Sequence, residues 1–396
     1  MPSPLPARSP QSTWKAYGEP LLAITVIIIA TATVAIVVGR IAAGGVSDLS
    51  VMLDSARWLR QGADLYQRPR VSGPGWNLNL PATTLLFLPF SFLSDTAAFE
   101  IWTALSVGAF LLSARWIARE AGVGRVTPLA AALFISQPVA ATLLLGQTTA
   151  LLMLVLTAAW IADRHDRRWS AGLLLGIAVA AKPFLGVFAV YAVWRRSGSL
   201  AAGMAVGGGS SALLGLLVGG VAGYRSWLAA LGQITWTAHR LNGSLLGLFT
   251  RLLSTTPAVM HQTPLVVAPQ FVQPAWWAAI AVVSGIGIRA LLTTRDRDRA
   301  WGVTLTASLL LSPLGWMYYA PMLAGPLLVV ARKADHWTQV LLAAGYAGLL
   351  IPPMTLRGGA GATGVLLGSL SSLSLLILFA GAVRGATSPL QPQRLD

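Results

Sequence analysis

Long apolar runs separated by short arginine-rich segments constrain this chain more than any other feature. Hydrophobic residues make up 55% of its 396 residues and charged residues only 10%, whereas soluble domains typically carry about 25% charged residues. The runs are continuous rather than alternating, which indicates membrane-spanning helices and argues against a β-barrel. We therefore predict an all-α, polytopic membrane helical bundle.

The charge pattern gives that bundle an orientation. Lys and Arg number 28 against 13 Asp and Glu, a net charge of +15. Most of the basic residues flank apolar runs, which marks the cytoplasmic ends of the spans. No basic and aromatic cluster suits nucleic-acid bases, so we predict no nucleic-acid partner. The absence of cysteine excludes disulfides, thiolate catalysis and cysteine-based metal sites.

The sequence divides into one membrane domain and two tails. Residues 1–19 are predicted as a disordered cytoplasmic tail, 20–383 as a single integral-membrane domain, and 384–396 as a cytoplasmic tail. The domain begins with a span at 20–43 and has outer, extracytoplasmic loops at 44–80 and 223–273. Across the domain we count about twelve crossings.

Two further apolar stretches are broken in the middle. The breaks in 170–194 and 301–330 fit either two short helices that meet at the outer side or one kinked span, because each half is too short to cross a bilayer of about 30 Å.

The stretch 47–66, SDLSVMLDSARWLRQGADLY, follows the first span directly. Its apolar residues recur at helical spacing up to Gly62, which predicts a short helix along the outer membrane surface. Asp48 begins this helix and also fits the role of its N-cap. Asp54 fits a solvated face, paired with Arg57.

Several other polar residues are predicted to reach the same outer side. Polar side chains gathered at one face of an apolar bundle are costly and usually functional. These side chains can also have roles outside a functional site: Lys182 and Arg251 fit interfacial anchors, and Trp76 and Trp316 fit an aromatic belt. The residues concerned are Gln147, Lys182, His239, Asn242, Arg251 and Trp316.

An ordered set of short motifs adds to this picture. They are Asp48 after the first span; Gly62, Leu65 and Tyr66; Asn77, Asn79, Pro81 and Pro89; Gly146-Gln147; Ala181-Lys182-Pro183; Asn242, Ser244 and Arg251; and Ser312, Pro313 and Trp316. With these motifs in this order, the chain resembles glycosyltransferase family 87, polyprenol-phosphate-mannose-dependent mannosyltransferases of the GT-C fold. The resemblance covers about residues 48 to 319.

The resemblance implies a function and a site. The chain is expected to move a sugar, mannose in the family pattern, from a polyprenyl-phosphate donor to a glycolipid or polysaccharide acceptor at the extracytoplasmic face of a bacterial plasma membrane. Asp48 is expected to be the catalytic base, and Lys182, Asn242 and Arg251 to bind the donor phosphate. The residues expected to bind substrate are Asn79, Gln147, His239, Ser244, Trp316 and Tyr318. No cofactor or metal is expected, since the outer segments carry no Asp-x-Asp motif.

Two departures from the family and one alternative function accompany this hypothesis. Tyr318 lies where the family often has histidine, and Leu80-Pro81 replaces a frequent Pro-Pro. The alternative function is a transporter or lipid-linked-sugar flippase. Such a protein is expected to carry charges near the membrane midplane and to consist of repeated halves. The sequence shows neither feature. A structural membrane subunit would leave the outer polar residues unexplained.

Overall fold

The computed structural model describes residues 48–67, 76–124, 126–255, 263–352 and 361–387, together with positions 35, 36 and 39. Apart from those three helical positions, the predicted first span at 20–43 lies outside the described residues. The tail at 1–19 and residues 388–396 lie outside them as well. The last helix continues to Thr387, four residues into the segment predicted as a tail.

The described part is helical and contains no β-strand, which confirms the all-α prediction. Short 3₁₀ and α-helical turns fill the stretch between Pro81 and Phe92. The longer helices are α1 (Asp48–Arg60), α2 (Asp95–Glu120), α3 (Thr127–Phe134), α4 (Gln137–Leu145), α5 (Thr149–Arg164), α6 (Arg168–Ala181), α7 (Phe188–Trp194), α8 (Gly198–Leu231), α9 (Leu245–Leu253), α10 (Val272–Thr293), α11 (Arg297–Leu311), α12 (Ala324–Lys333), α13 (His336–Leu350), α14 (Gly361–Gly368) and α15 (Leu370–Thr387).

Few of these helices are long enough to cross a membrane alone. Within the described ranges, α2, α8 and α10 with its preceding turn qualify by length and composition, and two bent pairs, α3 with α4 and α14 with α15, raise the number to five. The chain is therefore a multi-pass membrane protein. The count of about twelve crossings also included shorter helices and stays a prediction; two apolar runs of the described ranges fold as helices of 10 to 17 residues, at Arg168–Ala181 and Pro183–Trp194.

Local sequence signals set several helix boundaries. Ser94 caps α2 by accepting a hydrogen bond from the Ala97 N–H. Gly62 follows α1 with φ of +65°, a left-handed conformation that glycine adopts without strain. Asp48 itself is helical, so it is not the N-cap of α1.

Helices α6 and α7 form a pair that meets at Lys182-Pro183. Asp163, near the end of α5, lies beside the start of α6, and Arg195, just after α7, pairs with it at 3.2 Å. The start of α6 and the end of α7 therefore lie at one end of the bundle, and the break at Lys182 lies at the other. This geometry supports two short helices rather than one kinked span.

A second pair, α11 and α12, repeats this arrangement. Lys333 at the end of α12 approaches Asp298 at the start of α11 to 3.3 Å. The connecting segment, which includes Tyr319, therefore lies at the far end. There the Lys182 ammonium lies 5.4 Å from the centre of the Tyr319 ring, and Phe184 packs on the same ring. The two helix pairs thus meet at their turns.

The opposite end of the bundle is held by buried ion pairs. Asp163 is fully buried and accepts hydrogen bonds from the Tyr191 hydroxyl, the Trp301 indole and Arg195. Arg164 joins Glu120 and Asp298. We call this the arginine-rich end; it is the end that the charge pattern predicts to be cytoplasmic.

Helices α6 and α8 pack unusually closely through four glycines. A Cβ atom built at Gly172 or Gly176 would lie far inside van der Waals contact with the α8 backbone, and one at Gly203 or Gly207 would meet the α6 backbone in the same way. Small residues spaced four apart on both helices allow this approach. Because Lys182 directly follows α6, this contact fixes its position.

Helix α8 is sharply bent at Gly220, whose φ of 60° and ψ of −172° belong to a region used almost only by glycine. The Tyr224 hydroxyl donates to the Ala212 carbonyl at 3.0 Å, although twelve residues of straight helix span about 18 Å. The segment after the bend packs on the loop before Pro81, where Ser226 donates to Asp64 and Trp227 to the Leu78 carbonyl.

Candidate functional site

The N-terminus of α5 lies beside Asp48. The Gln147 side-chain amide donates from Nε2 to the Asp48 carboxylate, which joins α1 to the residues just before α5. Gly146 ends α4 with φ of +66°, and a Cβ there would lie 2.6 Å from the Leu49 Cβ. Glycine is therefore needed for both the turn and the close packing. The predicted Gly146-Gln147 turn is present, and it faces Asp48.

Lys182 reaches the same region. A chain of hydrogen bonds through Asn79, Asn77 and Ser55, which we call the relay, holds its ammonium group in place. The Lys182 ammonium donates to Asn79 Oδ1 at 2.7 Å. Asn79 in turn donates twice to Asn77 Oδ1, and Asn77 donates to Ser55 Oγ on α1 at 2.9 Å. The relay ties the turn after α6 to the same helix that carries Asp48.

Asn79 was predicted to bind substrate; in the structure its side-chain oxygen Oδ1 accepts a hydrogen bond from Lys182. Its side chain is 5% exposed, so we assign it a positioning role. Asn77 was not selected as a site residue from the sequence. It belongs to the same Asn-Leu-Asn motif, so the signal that singled out Asn79 was present for Asn77 too.

The electrostatics of Asp48 reflect two opposing effects. Burial raises the pKa of the Asp48 carboxyl, whereas the hydrogen bond from Gln147 and the charge of Lys182 lower it. Lys182 is thus close enough to act on Asp48. Burial also raises the pKa of the neighbouring Tyr318 hydroxyl well above its usual value, so that Tyr318 stays neutral.

Aromatic side chains border the site on one side. Trp316 and Tyr318 are stacked, with ring centres 5.8 Å apart and planes 15° from parallel. His239 meets the edge of Trp316, and its ring centre lies 5.6 Å from that of Trp316. Trp316 and His239 remain partly exposed, whereas Tyr318 is buried.

His239 is neutral at physiological pH. Burial, with the charges of Arg251 and Arg240, lowers its pKa to about 4. Its Nδ1 accepts a hydrogen bond from the Leu241 N–H, so the ring proton resides on Nε2. His239 can therefore donate to a ligand from Nε2 but does not carry a positive charge.

Arg251, predicted to bind donor phosphate, is turned into the protein. It is fully buried, and its guanidinium donates to the hydroxyls of Ser369 and Ser372 and to the carbonyls of His239 and Asn242. These contacts occupy the directions that a phosphate would need. We therefore assign Arg251 the role of joining α9, α15 and the loop before α9.

Asn242 and Ser244 are likewise occupied by the backbone. Asn242 is fully buried, and its amide donates to the carbonyls of Thr237 and Pro313 while its oxygen accepts from the Ser244 N–H. Ser244 caps α9 through the Gly247 N–H. Both residues shape the loop that pairs with Trp316, and neither presents a free polar group to a ligand.

Asp54 pairs with Arg57 at 3.5 Å, as the helical spacing predicted. Its side chain is 13% exposed, so it is more covered than a solvated face implies. Arg57 also reaches Asp95 at 2.5 Å and thereby fastens α1 to the start of α2.

A cavity of about 620 Å³ lies at the arginine-rich end, lined by Asp166, Arg167, Arg168, Trp169, Ser170 and Ser199. It contains none of the predicted site residues. Among the described residues, no group of three His, Asp or Glu side chains is arranged to hold a metal ion.

Comparison with known proteins now decides the family. The model of glycosyltransferase family 87 matches residues 78–313, more than half of the chain. The chain belongs to glycosyltransferase family 87. The family match includes Asn79, Gln147 and Lys182, whereas Asp48 precedes it and Tyr318 follows it.

One relative among the curated proteins comes from Corynebacterium glutamicum. It is named alpha-(1->3)-arabinofuranosyltransferase and is 28% identical over 256 residues, which are 61% of this chain and 57% of the relative. The family 87 chain thus matches somewhat over half the length of that relative. No solved structure matches the chain.

The structural role of Arg251 in this family 87 protein leads to a stability prediction. Arg251→Lys should lower the melting temperature, because lysine cannot reach all four acceptors and each buried acceptor left unpaired costs about 1–3 kcal/mol. Intrinsic tryptophan fluorescence during heating measures this in detergent. Arg225→Lys, at an exposed position, is the control. A normal melting temperature with weakened donor binding would show that Arg251 acts on substrate instead.

Proposed function

We propose that this chain transfers a glycosyl group from a polyprenyl-phosphate donor to a hydroxyl of a glycolipid or polysaccharide acceptor. The reaction takes place at the extracytoplasmic face of a bacterial plasma membrane and uses Asp48 as general base without a metal. The observation that carries this proposal is the meeting of Asp48, Gln147 and Lys182 at the end of the bundle opposite the arginine-rich end.

The chemistry needs a base and a site for a departing anion. The acceptor oxygen attacks the anomeric carbon and its proton passes to the Asp48 carboxylate. The bond between the anomeric carbon and the phosphate oxygen breaks, and its electron pair leaves with the polyprenyl phosphate. A cation near that phosphate stabilises the charge that develops.

Lys182 suits the phosphate, and the aromatic pair suits the sugar. An ammonium group has three N–H donors, and Asn79 takes one of them. Trp316 is partly exposed and stacks on Tyr318, on which the charge of Asp48 acts, and neutral His239 offers an N–H. Gln147 holds one oxygen of Asp48, which leaves the other carboxylate oxygen for the acceptor hydroxyl.

The donor sugar has two candidates. The family pattern suggests mannose, whereas the relative from Corynebacterium glutamicum is named for arabinofuranose. We propose arabinofuranosyl as the first donor to test and mannosyl as the second, since the relative is a specific protein similar to 61% of this chain.

A donor panel tests this function. Membranes containing the protein should transfer label from polyprenyl-phosphate-arabinofuranose or polyprenyl-phosphate-mannose to a lipid or polysaccharide fraction, detected by thin-layer chromatography. Membranes from the same host without the protein are the control. Transfer from neither donor, nor from other polyprenyl-phosphate sugars, while the protein moves a labelled lipid-linked sugar between leaflets, would establish the transporter alternative.

A further inference from the structure

Two of the three predicted phosphate ligands face the protein interior. Arg251 and Asn242 are fully buried and bonded to the chain. Lys182 remains at the site and is itself held by Asn79. A phosphate that becomes more negative as its bond to sugar breaks is best stabilised by several donors. Lys182 alone is therefore not enough for that anion, and further hydrogen-bond donors are expected beside it.

The first turn of α5 has polar atoms without partners. Thr148 stands at the N-cap position but has helical φ and ψ of −73° and −3° and makes no capping bond. Among the described residues, Gln147 Oε1, Thr148 Oγ1 and Thr149 Oγ1 have no hydrogen-bond partner. These three side chains are 5%, 7% and 0% exposed, respectively. Leaving a buried polar group unpaired is costly, so three in succession point to a missing partner.

This turn begins beside the site. The Gln147 side chain, one residue before Thr148, reaches Asp48, so the N-terminus of α5 lies next to that carboxylate. The unbonded N–H groups of a helix start carry partial positive charge and attract anions. Lys182 adds a full positive charge close to Asp48.

We propose that Thr148 and Thr149 bind the phosphate of the polyprenyl-phosphate donor. This inference rests on the proposed function and deepens it. The two hydroxyls and the N–H groups of the first turn of α5 donate to the phosphate oxygens, and Lys182 contributes charge. Gln147 Oε1 accepts hydrogen bonds only, so it faces a hydroxyl of the transferred sugar rather than the phosphate.

This arrangement orders the reacting groups. The phosphate lies against the first turn of α5, the sugar lies beside Gln147, and the acceptor hydroxyl lies next to Asp48. During transfer the phosphodiester becomes a phosphomonoester and gains one negative charge. Donors that are already in place stabilise that charge without rearrangement.

Binding of farnesyl phosphate to the purified protein tests the assignment, because this ligand carries the phosphate but no sugar. Affinity is measured by isothermal titration calorimetry in detergent, with uncharged farnesol as the matched ligand. We expect the wild type to prefer farnesyl phosphate. We expect Thr148→Val/Thr149→Val to bind farnesyl phosphate more weakly by about 100-fold or more, since it removes two hydrogen bonds to a charged group and each contributes about tenfold or more, and to bind farnesol unchanged.

Two control variants separate phosphate binding from folding. Thr148→Ser/Thr149→Ser keeps the hydroxyls and should bind farnesyl phosphate like the wild type. Thr306→Val removes a buried hydroxyl that bonds within α11 and should not change binding. Unchanged farnesyl phosphate affinity in the double valine variant, or an equal loss for farnesol, overturns the assignment. Because no sugar is transferred in this experiment, its outcome is independent of whether the donor panel succeeds.

Discussion

Replacing Asp48 with asparagine should reduce glycosyl transfer by about 10²- to 10⁴-fold, the range that a general base contributes. Asparagine keeps the size of the side chain and a carbonyl oxygen for the Gln147 amide, but it cannot take a proton. Initial rates of label transfer in membranes measure the effect, and the melting temperature should stay close to that of the wild type. Undiminished transfer would remove Asp48 as the base.

Asp54→Asn provides a matched control for this variant. Asp54 lies on the same helix and undergoes the same chemical change, but its carboxylate pairs with Arg57. We expect it to retain transfer activity. Equal losses in both variants would indicate that α1 needs its acids for structure rather than for proton transfer.

The pH dependence should identify the same group. An aspartate base works in its ionised form, so the rate falls as the pH drops through its pKa. Burial raises the pKa of Asp48, and the Gln147 hydrogen bond opposes that rise. Gln147→Leu removes this hydrogen bond, which raises the pKa of Asp48 further and should move the acid limb of the rate profile to higher pH. An unmoved limb would mean that another group titrates.

The second large effect is expected at the contact between α6 and α8. Gly176→Leu should prevent the two helices from packing, because even a Cβ at Gly176 would lie far too close to the backbone around Met204. Adding single methylenes to a packed core already costs about 1–3 kcal/mol, and here the obstacle is backbone that cannot rotate away. We expect a large drop in melting temperature and in the monodisperse fraction on size-exclusion chromatography.

Gly209→Leu is the control for that substitution. Gly209 lies on α8, and a Cβ there would meet nothing within 4 Å. It should therefore fold normally. If Gly176→Leu were as stable as Gly209→Leu, the close approach of the two helices would not exist in the membrane.

Features carried by neighbouring residues were predictable from the sequence. The motif at Gly146-Gln147 and the break at Lys182-Pro183 depend on residues that follow each other in the chain. The family resemblance and the all-α class were confirmed for the same reason, since apolar runs and short motifs are local patterns.

Features that depend on distant partners were not predictable. Arg251 carries the residue type of a phosphate ligand, but its partners Ser369 and Ser372 lie 118 and 121 residues away. Likewise, the relay from Ser55 to Lys182 joins three separate parts of the chain. The bend at Gly220 was hidden as well, because α8 contains many glycines and only one has the required backbone angles.

The paired half-length helices also determine how deep the chemistry lies. Helix α6 has 14 residues, which extend about 21 Å, and it starts at the arginine-rich end. A hydrocarbon core is about 30 Å thick. If the arginine-rich end marks one surface, Lys182 therefore stands below the other by about 9 Å or more. A ligand must bring its charged headgroup down to that level while its chain remains in lipid. Depth alone would then favour amphiphilic ligands over freely dissolved sugar phosphates, independently of any side-chain contact with the sugar.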